Sequence, residues 1–544
     1  MSRQAPKQQH DWRVVDADEA TVVRLAERIA LKLARGDVIA LSGDLGAGKT
    51  TFARALIRAV LGDQDAEIPS PTFSLVQTYA TPRLELAHLD LYRIAGDDDL
   101  IELGFDELVA SGAAIVEWPE RVPGLLAANR LDIHLAQGTW PEQRTLGLVG
   151  HGTWAPRLAR LAAMSDFLDA HPPWDAATAA YLQGDASARA YARLTFPPPD
   201  ALLPPSPRRV EDSPSARWGG ETPRTAILMD QPRQPDGPPI RNGLPYSRIA
   251  RLAEDVRPFV AVASALLAAG LSAPEIYATD LERGFLVLED FGGRVFGAEI
   301  AKDASQAELW RAATDTLLVL SRVSVPDAIT LPDGTTHRVP PQDTNVLGIE
   351  VELLPDWYWP AVYGQPIPAD VRAEFMSAWE SLFARLLAGP KGWVLRDFHS
   401  PNLVWLPERD GARRAGLLDF QDALQGPPAY DLVSLLEDAR VDVPAALEDE
   451  LLAYYLDARR AEPAFDGDAF RFAYAVLGVQ RNTKILGIFA RLAKRDGKRT
   501  YLRHIPRLWR YLARGLAHPE LAALALWFDR HFPAASRNAP PNIS

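Results

Sequence analysis

The chain has 544 residues, 47% hydrophobic and 24% charged, with a net charge of −13 and no cysteine. That length accommodates two or three domains with separate cores, and the missing cysteine excludes disulfides, thiol nucleophiles and thiolate metal sites. Residues 1–158 carry 16 Lys/Arg against 22 Asp/Glu, giving −6, and the remainder carries −7, so neither part is basic and tight direct nucleic-acid binding is disfavoured.

Met1–His10 is polar and lacks the apolar core of a secretory signal. Residues 16–36 predict a helix: Asp16 or Asp18 can cap it, Val22, Leu25, Ala26, Ile29 and Leu33 mark one apolar face, and Gly36 ends it. Val38–Ser42 predicts a short buried strand, and Lys49–Leu61 a helix closed by Gly62. Strands are predicted over Phe73–Tyr79, Leu84–Asp90 and Ala113–Glu117, with alternating patterns at Leu131, Ile133 and Leu135 and at Leu146 and Leu148. This reads as an α/β domain over residues 1–158.

Residues 159–182 read as a connector and a leading helix. Tyr191–Phe196, Thr225–Met229 and Phe285–Glu289 then predict strands of a small lobe, with Pro197–Pro207 and Gln231–Gly243 as loops. The longest apolar run, Phe259–Leu271, is too short to span a bilayer and predicts a buried helix, so a cytoplasmic protein without membrane contact is expected. From about residue 370 the chain reads as helical apart from 393–420, which makes 163–544 a second folding domain.

Two phosphate-handling signatures stand about 350 residues apart. The first is Gly43-Asp44-Leu45-Gly46-Ala47-Gly48-Lys49-Thr50, between a predicted strand and helix. Such glycines let backbone N–H groups wrap phosphates at a helix N-terminus, with Lys49 reaching the β/γ-phosphates of ATP and the Thr50 hydroxyl, with Thr51 beside it, at Mg²⁺. Ser70-Pro71-Thr72-Phe73, His88-Leu89-Asp90 and Glu117-Trp118-Pro119-Glu120-Arg121 lie at or beyond strand ends, where open α/β sheets bind ligands. With the P-loop, these segments resemble TsaE, the small ATPase of bacterial tRNA threonylcarbamoyladenosine formation. The resemblance covers nearly all of 12–158. It implies that Thr72 senses nucleotide, that Asp90 and Glu117 act near Mg²⁺ and the γ-phosphate, that Trp118 lies close to the nucleotide, and that TsaD-like and TsaB-like proteins are partners.

The second signature is Asp397-Phe398-His399-Ser400-Pro401-Asn402 followed by Leu418-Asp419-Phe420. In a kinase-like fold an aspartate takes the acceptor hydroxyl's proton, an asparagine five residues on binds metal, and a later aspartate holds Mg²⁺ against the phosphates. Asp397, Asn402 and Asp419 have that spacing, and His399 reads as an orienting group rather than a base. Leu395-Arg396-Asp397 and Asp419-Phe420-Gln421 depart from the protein-kinase sequences and resemble the aminoglycoside phosphotransferase-like small-molecule kinases. Gly184–Arg193, Asp419–Ala423 and Gln480-Arg481 with Lys484 to Arg491 are most similar to the anomeric N-acetylmuramate/N-acetylglucosamine kinases. The resemblance implies a phosphate-covering loop at Gly184–Ser187, a hinge at Glu289, and an amino-sugar acceptor. The strand that should carry the ATP-binding lysine reads Leu228-Met229-Asp230. Asp356-Trp357-Tyr358-Trp359 reads as core or lid in preference to a sugar-stacking cluster, and Gln480, Arg481 and Lys484 as a solvated helix face in preference to a sugar or phosphate contact.

The expected architecture is an α/β P-loop NTPase domain fused to an α+β two-lobed protein-kinase-like (aminoglycoside phosphotransferase) domain. The alternatives for the second domain are a kinase of an aminoglycoside or amino alcohol, or a regulatory pseudokinase.

Overall fold

The computed structural model describes residues 9–94, 104–122, 128–182, 189–196 and 225–537. Ser187, with the rest of the expected phosphate-covering loop, and the Pro197–Pro207 segment lie outside them. The chain forms two compact units, residues 1–232 with 277–290 and residues 233–276 with 291–544.

The first unit is built on a seven-stranded sheet ordered β1-β7-β6-β2-β5-β4-β3. The strands are β1 Gln9–Ala17, β2 Val38–Ser42, β3 Val76–Ala80, β4 Glu85–Asp90, β5 Gly112–Glu117, β6 Arg130–Gln137 and β7 Arg144–His151. β2, flanked by parallel β5 and β6, is an unbroken apolar run up to Ser42 because both its faces are covered. Helix α1, Glu19–Ala30, starts where Asp18 accepts the Thr21 N–H at 2.8 Å and buries Val22, Leu25, Ala26 and Ile29. It is shorter than expected, because the chain breaks into turns before Gly36, whose φ of +85° leads into β2. Helix α2, Lys49–Leu61, has the expected bounds, and Gly62 closes it at φ +72°. β3 begins three residues later than expected, since Pro71–Ser74 turn. β1 was not anticipated: it is an edge strand that buries Ala17 in the core and packs Trp12 and Val14 partly against it.

Helix α3, Phe105–Ser111, leads into β5, and helix α4, Trp154–Asp169, follows β7. α4 runs through the interval 158–163 expected to separate the domains. A second, five-stranded sheet in this unit is ordered β11-β12-β10-β9-β8, from β8 Thr178–Leu182, β9 Ala190–Thr195, β10 Thr225–Asp230, β11 Ile276–Asp280 and β12 Phe285–Glu289. One continuous core joins the two sheets: Ile39 and Leu41 of β2, Trp154 and Leu158 of α4, and Leu194, Leu228, Phe285 and Val287 of the small-lobe strands belong to it. Polar contacts edge that core. Glu27 of α1 accepts the Ala179 N–H of β8 at 3.0 Å, and burial pushes its carboxyl up. Asp230 takes Arg160 at 2.8 and 2.6 Å and also pairs with Lys32. The strand end where a kinase lysine was expected therefore anchors the small-lobe sheet to α4 and to the turn after α1.

The second unit is mainly helical: α5 Arg257–Ala268, α6 Gln306–Leu320, α7 Thr344–Val351, α8 Ala369–Leu387, α9 Ala429–Leu436, α10 Ala445–Arg459, α11 Gly467–Asp496, α12 Ile505–Leu516 and α13 Ala522–His531. Two small ladders carry the catalytic segment: β13 Gly392–Val394 pairs with β16 Leu424–Gly426, and β14 Leu403–Trp405 with β15 Ala415–Leu417. Tyr358 and Trp359 are core residues, packed with Trp509, Trp527 and Phe532. Among the described residues no helix is long and apolar enough to cross a membrane.

Candidate active sites

In the first unit the loop leaving β2 turns on Gly43, Gly46 and Gly48, at φ +133°, +79° and +103°. Gly43 has a second constraint: a side chain there would strike the Leu135 carbonyl on β6. Arg144 donates to the Ala47 carbonyl at 3.0 Å and braces the loop from β7. Lys49 donates to the carbonyls of Gly43 and Asp44 at 2.8 and 2.9 Å, and its ammonium stands 3.5 Å over the Trp118 ring. Burial pulls its pKa down, opposed by Glu117, Glu120, Asp90 and Asp44.

Parallel pairing of β4 with β5 sets Asp90 opposite Glu117 at the C-terminal ends of both strands. Thr50 donates to Glu117 Oε2 at 2.8 Å, and the other Glu117 oxygen meets His88 Nε2 at 2.9 Å. Thr72 donates to Asp90 Oδ2 at 2.9 Å, while Asp90 Oδ1 caps the Tyr92 N–H at 3.0 Å. The sheet thus gathers Gly43, Gly46, Gly48, Lys49, Thr50, Thr72, Asp90, Glu117 and Trp118 around one loop. Thr51 points to solvent from α2. His88 was not singled out as a site residue. Its signal was its place two residues before Asp90, which puts both side chains on one face of β4.

In the second unit the turn after β13 places Arg396 at φ +73° and the turn after β15 places Asp419 at φ +58°, both in the left-handed region that non-glycine residues rarely adopt. Asp431, at the N-terminus of α9, accepts the Leu395 and Arg396 N–H groups at 2.6 and 2.8 Å. Burial pushes its carboxyl up to about 7 against those two donors, which suit the anion. Asp438 holds the other end of the loop through the Ser400 N–H at 2.8 Å. Asn402 donates to the Asp397 carbonyl at 2.9 Å and reaches Asp419 Oδ2 at 3.4 Å, and Gln421 donates to Asp419 Oδ1 at 3.0 Å. Asp397, Asn402 and Asp419 are therefore brought together as the spacing predicted.

No described side chain donates to the Asp397 carboxylate, which leaves it open to a substrate hydroxyl. Burial would raise its pKa, yet the cations Lys484, Arg396 and Arg481 together hold it below the usual carboxylate value. His399 itself is kept neutral, its pKa pulled to about 4 by burial and by Arg440 and Arg481. Arg440 meets His399 Nε2 at 3.2 Å and can only donate, so the ring proton sits on Nδ1.

Beneath the loop lies a buried charge cluster. Glu350 of α7 accepts Arg396 at 2.5 Å, Lys484 at 2.7 Å and Gln480 at 2.9 Å. Burial raises its pKa, but the two cations outweigh burial and hold it at about 2. Gln480 and Arg481 are 0% and 4% exposed, which overturns the reading of this α11 segment as a solvated face. The polar run Gln480–Lys484 is buried because it faces other charged groups rather than hydrocarbon. Glu350 was missed too; its signal was a lone carboxylate in the apolar run Val346–Val351. Glu289 ends β12 opposite Ala226, in the first unit. Arg193 clamps its neighbour Asp290 at 2.6 and 3.2 Å.

Both constellations present hard oxygen donors suited to Mg²⁺: Thr50 with Glu117, and Asn402 with Asp419. Among the described residues no three His, Asp or Glu converge as a dedicated metal cage. A pair of donors suits an ion completed by nucleotide phosphates and water.

Comparison with known proteins follows this division. The family profile of the threonylcarbamoyl adenosine biosynthesis protein TsaE matches residues 16–146, and that of the phosphotransferase enzyme family matches residues 212–467. The N-acetylmuramate/N-acetylglucosamine kinase of Caulobacter vibrioides is 39% identical over 387 residues, 70% of this chain and 98% of its own length. The TsaE protein of Rickettsia felis is 38% identical over 118 residues, 22% of this chain and 68% of its own. The chain belongs to both families. Its TsaE part is a P-loop NTPase domain, and its kinase part has the aminoglycoside phosphotransferase fold. The kinase of the same name from Pseudomonas aeruginosa, 36% identical over 57% of this chain and 82% of its own, agrees. A P-loop ATPase and a phosphotransferase are thus fused in one polypeptide.

Proposed function

We propose that the TsaE part hydrolyses ATP in support of tRNA threonylcarbamoyladenosine formation, acting on TsaD-like and TsaB-like partners. The kinase part phosphorylates the anomeric hydroxyl of N-acetylmuramate or N-acetylglucosamine in peptidoglycan recycling, and both parts work in the cytoplasm. Bound Mg²⁺-ATP supplies the phosphoryl group at each site and spreads its charge.

At the first site the Gly43–Gly48 amides and Lys49 bind phosphates, Thr50 and Glu117 offer oxygens to Mg²⁺, and Asp90 and Glu117 orient water toward the γ-phosphate. Thr72 reports nucleotide state through its bond to Asp90. At the second site Asp397 accepts the sugar hydroxyl's proton, while Asn402 and Asp419 hold Mg²⁺. The anomeric hydroxyl is more acidic than other sugar hydroxyls, so a carboxylate held as a weak base suffices.

The observation that carries the kinase reading is the open Asp397 carboxylate beside Asn402 and Asp419, in a chain 39% identical to a kinase of that name. The pseudokinase alternative has no support in this loop, which keeps all three groups. The test is incubation with Mg²⁺-ATP and each sugar, with phosphate position read by NMR. A 1-phosphate is expected and the 1-O-methyl glycoside should be inert. A 6-phosphate, or a phosphorylated methyl glycoside, refutes the reading.

A further inference from the structure

Arg481 stands apart from every other cation near the catalytic loop. On a helix of 3.6 residues per turn it lies about 60° from Lys484 and about 100° from Gln480. Those two neighbours are both taken up by Glu350, at 2.7 and 2.9 Å. Asn482, on the far side, is taken up by Glu437. Arg481 is 4% exposed, its Nη1 is buried without a partner, and no described residue hydrogen-bonds or ion-pairs with it. A buried guanidinium without an anion is costly, and its planar fork matches a carboxylate.

The carboxylates around it do not fill that role. Asp431 bonds backbone N–H groups, Glu437 takes up Asn482, and Asp397 must stay open to the acceptor. Lys484, within one turn of Arg481, is tied through Glu350 to Arg396, the chain neighbour of Asp397, which places Arg481 in the cluster under the group that receives the acceptor's proton; its charge acts on Asp397 and His399 from there.

We propose that Arg481 is the acceptor-specificity residue, binding a carboxylate carried by the sugar while Asp397 engages its reacting hydroxyl. This rests on the amino-sugar kinase reading above. Of the two sugars, N-acetylmuramate carries such a group, the carboxylate of its lactyl ether, and N-acetylglucosamine is neutral. Arg481 thus gives one site a charged contact with the acid without excluding the neutral sugar.

The test is steady-state kinetics of the full chain and its R481M and R481K variants with both sugars. In R481M the kcat/KM ratio of N-acetylmuramate to N-acetylglucosamine should fall about 10–100-fold, chiefly through the KM of the acid, as expected for loss of a charge-assisted contact. R481K should recover part of it. An equal loss for both sugars, located in kcat, would instead put Arg481 on the transferred phosphoryl group and overturn the proposal, as would an unchanged ratio. Saturation-transfer NMR with D-lactate, the carboxylate fragment alone, tests Arg481 without turnover. Binding to the wild type that is lost in R481M, or in R481K if R481M does not fold, supports the proposal. Equal signals, or no signal in the wild type, refute it. If the wild type phosphorylates neither sugar, the kinase reading fails, and the lactate result still decides the role of Arg481.

Discussion

Replacing Glu350 with Gln removes one charge and almost no volume from the cluster beneath the catalytic loop. Glu350 is fully buried and bonded to Arg396, Lys484 and Gln480. Its pKa is held at about 2, against 4.5 for a free glutamate. Converting that depression at 1.36 kcal/mol per unit gives about 3 kcal/mol of stability from the ionised form. Breaking a buried ion pair by removing one partner costs about 3–5 kcal/mol, in agreement. The folded-state pKa is depressed, so this contribution is complete above 4.5 and is lost as pH falls toward 2. Urea unfolding of the wild type and Glu350→Gln, followed by tryptophan fluorescence, should show a loss of about 3 kcal/mol at pH 7, a midpoint shift of about 1 M. The gap should narrow as pH falls from 5 to 3. A loss under about 1 kcal/mol, or a gap independent of pH, would refute the reasoning that two cations hold this carboxylate ionised.

Asp397→Asn keeps the loop's shape but removes the base, so sugar phosphorylation should fall by about 10²–10⁴ while nucleotide binding, measured by calorimetry, persists. A chain cut between residues 158 and 163 severs α4 and exposes Leu158, Leu161 and Phe167, each at most 1% exposed in the intact chain. The 163–544 fragment is expected to aggregate when expressed alone and to become soluble when co-expressed with 1–158. A monodisperse, active lone fragment would show that the shared core is dispensable.

The chemistry was legible because its residues are close in sequence or fixed by short motifs. Gly43–Thr50 and Asp397–Asn402 each lie in one turn, and Asp419 follows one hairpin later. β2 and β12 were legible from unbroken apolar runs with polar ends, and α2 from the P-loop before it and the Gly62 that closes it. β1 was not, because an edge strand buries one face only and its residues are mostly polar. The Glu350–Arg396–Lys484 cluster joins residues 46 and 134 apart, a pairing that no local pattern encodes. The same limit hid the core shared by the P-loop sheet and the small-lobe strands. The end of the strand pattern marked a boundary near residue 158, but Trp154 to Leu168 lie in one helix buried across that point.

The central claim is that one polypeptide holds two independent nucleotide sites. It is tested most directly by the number of ATP molecules bound per full-length chain, titrated calorimetrically in wild type and Lys49→Ala, with sugar phosphorylation measured on the same samples. The account predicts two per wild-type chain. It predicts one per Lys49→Ala chain, with phosphorylation retained because Asp397, Asn402 and Asp419 form their own site. A single ATP per wild-type chain, or loss of sugar phosphorylation in a folded Lys49→Ala protein, would contradict it.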